Sequence, residues 1–262
     1  MWARIARSSI ASRTRSDPIS APRFFVPGVH APGDRVRLPG DDARKLLVVL
    51  RAQSGAAVEL IDSGGRIFAT RLVVDGSFAT LTLEREVAAP PVPRLAITLA
   101  QGVPKGAKMD FVVEKATELG IARIVPFISA RTVGDGERTG KLERWRRLAK
   151  SAAQQCGRRD VPDIDAPIEF AALVRTFASV DRALVPWELA EAAPLRETLP
   201  PLIANVSSIL VAIGPEGGFS AEEAASATMA GAHLISLGRR ILRTETAGIV
   251  AATALLFASG DL

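Results

Sequence analysis

Ser208-Ile-Leu-Val-Ala-Ile213, then Gly214-Pro-Glu-Gly-Gly218-Phe219, then Ser220-Ala-Glu-Glu223 read as an apolar strand, a glycine-rich turn and the start of a helix. A second cycle follows: His233-Leu-Ile-Ser-Leu237, Gly238-Arg-Arg-Ile-Leu-Arg243, and Thr244-Glu-Thr-Ala247 opening a helix to about Ala258. Strands that turn straight into helices belong to α/β sheets. Ser220 with Glu223 three residues on is a capping box, each side chain taking one free amide of the first turn. Two such turns on neighbouring strands would aim backbone N–H and C=O groups into one crevice, where open α/β sheets bind ligands.

Outward from this stretch, the strand–helix alternation extends back to Arg94. Leu95–Ala100 reads as a strand, Gly102–Gly106 as a loop, and Ala107–Leu119 as a helix burying Val112, Val113, Ala116 and Leu119. Gly120 stops that helix. Ile124–Ile128 is the next strand, Lys141–Gln155 a helix and Ala183–Pro186 a strand. The fold class is therefore α/β with a mostly parallel sheet over residues 94–262. Residues 22–88 differ: short alternating runs (Arg23–Val26, Asp34–Leu38, Val58–Asp62, Ile67–Val74, Phe78–Glu86) surround a short helix over Ala43–Leu50, capped by Asp41-Asp42. Ser63-Gly64-Gly65 and Asp75-Gly76 are hairpin turns, so this part reads as a small β-barrel. The proline-rich residues 89–93 form a stiff linker.

Composition narrows the function. No apolar run approaches the roughly 18 residues of a membrane span. Cys156 stands alone and His30 and His233 are the only histidines, which argues against a disulfide, a zinc site or a histidine metal centre. A reducing cytoplasm is expected. The formal net charge is +5, and residues 1–20 supply +3 of it, four arginines against Asp17. That Arg- and Ser-rich start has the composition of a transit peptide. The plainer reading is a disordered tail or an upstream start, with the fold beginning at Pro22.

Neither common phosphate loop is present: Gly102-Val-Pro-Lys-Gly106-Ala-Lys108 lacks the Walker A spacing, and Gly214-Pro-Glu-Gly-Gly218 is not Gly-x-Gly-x-x-Gly. Glu216 in the Gly214–Gly218 turn repels phosphate but suits an amine, an ammonium or a ribose hydroxyl. Ile241 and Leu242 put apolar side chains among free backbone groups, the description of an adenine slot. Thr244, between Arg243 and Glu245, would on the plainest reading be a helix cap with a local ion pair, a reading that the apolar Ile241-Leu242 just before it weigh against. On the helix from Lys141, the side chains of Lys141, Arg144 and Arg147 form a basic stripe that Arg158 and Arg159 extend, with Arg23 and Arg51 from the barrel. Such a stripe is either a solvated helix face or a contact for RNA phosphates. Lys115 and Glu118, one turn apart, are expected to pair.

With those residues laid out, the chain from Pro22 to Leu256 resembles the bacterial 16S ribosomal RNA uracil-N3 methyltransferases (the RsmE type) of the SPOUT superfamily. The resemblance rests on Arg23-Phe-Phe-Val, Leu47-Val-Val-Leu-Arg51, Lys108-Met-Asp-Phe-Val-Val-Glu-Lys-Ala-Thr-Glu-Leu-Gly120 and Ser151-Ala-Ala-Gln-Gln-Cys-Gly-Arg158. It continues through Ile213-Gly-Pro-Glu-Gly-Gly-Phe219 and Leu237-Gly-Arg-Arg-Ile-Leu-Arg-Thr-Glu-Thr-Ala247. Arg44-Lys45 stand where the family usually has histidines.

This resemblance implies a PUA-like barrel for RNA, a trefoil-knotted methyltransferase domain, a homodimer, and a 16S rRNA or small-subunit partner, with no membrane and no metal. It implies S-adenosylmethionine bordered by Ile213, Gly214, Glu216, Gly217 and Gly218, by Leu237, Gly238, Ile241, Leu242 and Arg243, and by Thr246 and Ala247. Pro186, Trp187 and Glu188 would close the third side. For the chemistry, Arg23 and Arg243 are expected to stabilise charge developing on the uracil, with Glu216 a weaker candidate for the proton acceptor. The alternatives are a ribose 2′-O methyltransferase of the same superfamily and a catalytically inactive RNA-binding assembly factor.

Overall fold

The computed structural model describes residues 21–132, 138–190 and 193–262; the expectations for residues 1–20 lie outside them. Two sheets divide the chain. In the first, β1 (Arg23–Phe25), β2 (Arg35–Arg37), β3 (Ala57–Ile61), β4 (Ile67–Asp75) and β5 (Phe78–Val87) take the order β1-β3-β4-β5-β2. Only β1 and β3 run parallel. Ser63–Gly65 and Asp75–Gly76 make the two hairpin connections. At the first, the Asp62 carboxylate accepts from the amides of Gly64 and Arg66 at 2.9 and 3.0 Å. Phe24, Leu46, Leu60, Phe68, Leu72 and Leu81 fill the core of this sheet.

The helix read over Ala43–Leu50 is two pieces. A short helix α1 (Gly40–Arg44) runs into a π-helical turn over Lys45–Val49, and Arg51 follows at φ 54°. Asp41-Asp42 do not cap it. The cap position is Pro39, with no side-chain bond, and Asp42 is instead buried as the partner of Lys150.

The second sheet contains β6 (Ala96–Gly102), β7 (Arg123–Ile128), β8 (Asp163–Ile164), β9 (Ile168–Glu169), β10 (Arg182–Pro186), β11 (Ser208–Ile213) and β12 (His233–Ile235). Its order is β12-β10-β11-β6-β7-β8, with β9 also on β7, and every pair is parallel. Parallel sheets need both faces covered, and the buried residues alternate accordingly. Leu99, Leu184, Ile209 and Val211 belong to one core, and Ala100, Val185, Leu210 and Ala212 to the other. Packing the first side are α2 (Lys108–Glu118), α3 (Arg138–Cys156), α5 (Leu195–Ile203) and α7 (Thr244–Ser259). α4 (Phe170–Thr176) and α6 (Ala221–Met229) pack the second, where Phe127 stacks on Phe219.

The two cycles that open the sequence reading do not sit on neighbouring strands. β10 lies between β11 and β12, so α6 carries the chain over β10 to the sheet edge. The segment after β12 then returns past the end of β10 and leads into α7 against β6 and β11. This order is what brings the Trp187-Glu188 loop between the two turns.

The sheets meet at α3. Lys150 Nζ donates to Asp42 at 2.8 Å, Lys45 Nζ to Gln154 Oε1 at 2.7 Å, and Arg23 to the Gly157 carbonyl while also pairing with Glu59. Among the described residues no helix is long and apolar enough to cross a membrane.

Candidate functional site

The first turn is rigid for reasons visible in its neighbours. A Cβ on Gly102, at the end of β6, would stand 2.5 Å from the Pro215 nitrogen, so this strand end and the turn pack backbone against backbone. The Gly218 amide closes the turn on Pro215 O at 2.9 Å, with Gly218 at φ +66°. The capping box forms as read: Ser220 Oγ accepts from the Glu223 amide and Glu223 Oε2 from the Ser220 amide. Glu223 Oε1 also takes the Ala130 amide, and Arg131 donates to the Gly217 and Phe219 carbonyls. Each contact is with a segment far away in sequence.

The second turn begins with Gly238 at φ +109°, which a residue with a side chain rarely adopts. Thr244 is not the cap of α7. Arg243 holds that position without a side-chain bond, and the buried Thr244 hydroxyl reaches back to donate to Gly214 O at 2.5 Å.

Between the turns and the end of β10 lies a two-lobed hollow. The larger lobe, about 440 Å³, has Ile213, Gly214, Glu216, Gly217 and Gly218 on one wall and Ile241, Leu242, Arg243 and Ala247 on the other, with Pro186 and Glu188 between them. The smaller lobe, about 140 Å³, adds Trp187, Leu237 and Gly238. The expected cofactor residues are therefore brought together, except Thr246, which is exposed on α7 away from both lobes. The sequence reading missed Lys108, Pro215, Phe219 and Thr244 in the larger lobe and Ser236, Arg239 and Arg240 in the smaller.

Lys108 organises the charge at the rim. Its ammonium donates to Glu216 at 2.9 Å and stands 4.0 Å from Glu245. The Glu216 hydrogen bond raises the Lys108 pKa. Burial pushes the Glu216 carboxyl up, but bonds from Lys108 and from backbone amides, including that of Lys105, outweigh it and leave the pKa lowered. Glu216 is thus held ionised, which makes it a weak base. Two other polar groups are left open. The Trp187 indole N–H is buried with no hydrogen-bond partner among the described residues, whereas the buried Glu245 Oε2, which also lacks a hydrogen bond, has the Lys108 ammonium as its counter-charge. Glu188 has no hydrogen-bond or ion-pair partner among the described residues.

The remaining sequence-predicted residues separate into free and committed groups. Arg23 does not line the hollow; its guanidinium is held between Glu59 and Gly157 O, so the two arginines expected at the chemistry are not together within one chain. Arg144 forms a fork with Asp110, and Arg158, largely buried, donates to the carbonyls of Thr117 and Ile121 and to Asp160. Lys141, Arg147, Arg51 and Arg159 have no ion pair among the described residues. Lys115 pairs with Glu118 as read, and with Glu114 too. No three His, Cys, Asp or Glu side chains gather into a metal-binding group among the described residues.

Comparison with known proteins matches residues 91–256 to the family model described as an RNA methyltransferase domain. The ribosomal RNA small subunit methyltransferase E of Bacillus subtilis is 34% identical over 167 residues, 62% of this chain. The chain spans 65% of that relative, just under two thirds of its length. The Mycobacterium bovis protein of the same name is 34% identical over 236 residues, covering 87% of this chain and 88% of its own. Among solved structures, a ribosomal RNA small subunit methyltransferase E from Neisseria gonorrhoeae bound to S-adenosyl methionine superposes with a TM-score of 0.82 at 31% identity. That match covers 90% of this chain and 97% of the other.

Proposed function

The chain belongs to the ribosomal RNA small subunit methyltransferase E family, and from that premise we propose that it transfers a methyl group from S-adenosylmethionine to N3 of a uridine in 16S ribosomal RNA. The observation that carries this reading is the two-lobed hollow with open polar groups on its walls. Among the described residues, a buried indole N–H without a hydrogen-bond partner (Trp187) and a carboxylate without a counter-charge (Glu188) fit a ligand that is nucleoside at one end and cationic at the other. Trp187, Leu237 and Gly238 would hold the adenosine, while Glu188 and Glu216 would face the cationic part.

S-adenosylmethionine supplies an electrophilic methyl group on a sulfonium, and the residues of this chain align and desolvate the acceptor. The uracil N3 proton must leave, so charge builds on the flanking carbonyl oxygens. Arg243, exposed on the wall and with no ion pair among the described residues, would stabilise that charge. Arg23 is engaged at the sheet-to-helix junction. Because N3 lies on the pairing edge, the target base must be unpaired or flipped out.

The family reading also includes a PUA-like barrel over residues 22–88 and a trefoil knot in 94–262. The knot is supported by the strand order, with β10 between β11 and β12, and by the segment after β12 lying beside the end of β10. A homodimer is supported by α7, which is apolar nearly all round yet leaves Thr246, Thr253 and Phe257 exposed on one face, Phe257 at 74%. The setting is the cytoplasm, with the small ribosomal subunit or its RNA as partner.

Calorimetric titration with S-adenosylmethionine tests the site. Saturable binding is expected from the wild type and strong loss from Gly217→Trp, because even a Cβ there would lie 2.8 Å from Arg131 Cβ. Folded wild-type protein that binds nothing would leave the RNA-binding assembly factor as the better reading. Phe257→Glu is expected to give a monomer by sedimentation, and an unchanged dimer would place the interface elsewhere.

A further inference from the structure

We infer that Gln101 and Thr244 act as a positioning pair that fixes the separation of the two turns, and so the shape of the cofactor hollow. The inference rests on the cofactor reading above. Gln101 is fully buried at the end of the central strand β6. Its amide nitrogen donates to the Thr244 hydroxyl at 2.7 Å and to Gly102 O at 3.2 Å. The Thr244 hydroxyl accepts the first of these, so its single proton is free for Gly214 O, at 2.5 Å. The direction of the relay is thereby set: Gln101 to Thr244 to Gly214.

Three strand and helix ends far apart in the chain are tied at one point. Gly214 leaves β11, Thr244 opens α7, and both line the larger lobe. With its hydroxyl engaged at both ends, Thr244 has only its methyl group left for the hollow. Gln101 is also an odd occupant for a core strand. Its amide oxygen is buried with no hydrogen-bond partner among the described residues, and a Cβ on Gly248 would sit 2.9 Å from that oxygen. An apolar residue would leave no such unpaired acceptor. A glutamine there is accounted for by the bond it makes to the second turn. Neither residue is placed to touch the reacting atoms, so both are positioning residues.

The test compares S-adenosylmethionine dissociation constants for wild type, Thr244→Ser, Thr244→Val, Gln101→Leu and the Gln101→Leu/Thr244→Val double variant. Thr244→Ser keeps the hydroxyl and is expected to bind within about threefold of wild type. Thr244→Val keeps the shape but breaks the relay, and is expected to bind about tenfold or more weakly, as is Gln101→Leu. The double variant should be no worse than the weaker single, the sign of one shared interaction. The KM for 16S rRNA at saturating cofactor should stay at the wild-type value. Equal weakening of RNA and cofactor binding, or wild-type affinity in either Thr244→Val or Gln101→Leu, would overturn the inference. If Thr244→Val does not fold, Gln101→Leu with the Thr244→Ser rescue decides alone. A wild type that fails to bind S-adenosylmethionine would overturn the cofactor reading instead.

Discussion

Gly248 stands within α7 with the Gln101 amide oxygen directly opposite its Cα. Replacing a helix-interior glycine by alanine ordinarily stabilises by up to about 1 kcal/mol. Here the added methyl group meets a buried side chain that itself is held by Thr244, and Gly248→Ala should instead destabilise by about 1–3 kcal/mol in urea unfolding. A more stable variant would mean that Gln101 is not where its bonds to Thr244 and Gly102 put it. The Lys108–Glu216 pair sets a pH expectation. The Glu216 pKa lies below its ordinary 4.5, so the pair's contribution is present above that value and fades as pH falls through the lowered one. The Lys108 pKa lies above its ordinary 10.5, so the contribution holds below that value and fades only as pH rises through the raised one. The cofactor dissociation constant should therefore be flat between about pH 6 and 9. A tenfold change within that window would reveal another titrating group. Glu216 could be read from its own turn, because a carboxylate in a glycine-rich loop is locally conspicuous. Thr244 could not. Its neighbours describe a cap, while its hydroxyl serves a carbonyl thirty residues back and a side chain in another strand.

Helix α3 shows how an amphipathic pattern can be right about a face and silent about its use. Trp145, Ala149 and Ala152 are buried as their spacing requires, yet the basic positions outside them differ in kind. Arg158, just past the helix, holds together the end of α2 through two carbonyls, and Arg144 is engaged by Asp110. Arg147 and Lys141 remain unpaired among the described residues. If the stripe contacts RNA phosphates, Lys141→Ala/Arg147→Ala should weaken RNA binding and flatten its salt dependence by about two charges, leaving the unfolding midpoint unchanged. Arg158→Ala should do the reverse, lowering stability by about 1–3 kcal/mol because the Ile121 carbonyl loses its side-chain donor and the Thr117 carbonyl keeps only the Gly120 amide. Filter binding at several salt concentrations, beside thermal unfolding, separates the two, and equal effects would remove the distinction. Elements with strong periodicity (β6, α2, β7, β10, β11, α6, α7) were legible to within a few residues. The strands β8 and β9 were not, since two residues carry no period, and Pro200-Pro201 inside α5 reads as a break.

At the scale of the molecule, the α/β class and the place of the hollow followed from sequence, but the strand order did not. Local patterns give strands and their turns; which strand lies beside which depends on contacts across the whole sheet. The two turns were expected on adjacent strands, and it is the insertion of β10 between them that supplies Trp187 and Glu188 to the hollow. The same holds for the junction of the two sheets. Asp42 and Lys150 meet across more than a hundred residues, and their neighbours mark Asp42 as a helix cap and Lys150 as a surface charge. The central claim, base methylation at uracil N3, is tested most directly by incubating the protein with S-adenosylmethionine and small ribosomal subunits from a strain lacking the modification. The 16S RNA is then digested to nucleosides for mass analysis. A single equivalent of 3-methyluridine, absent without enzyme, is expected. A 2′-O-methylated nucleoside, or no methyl transfer from protein that binds the cofactor, would contradict it.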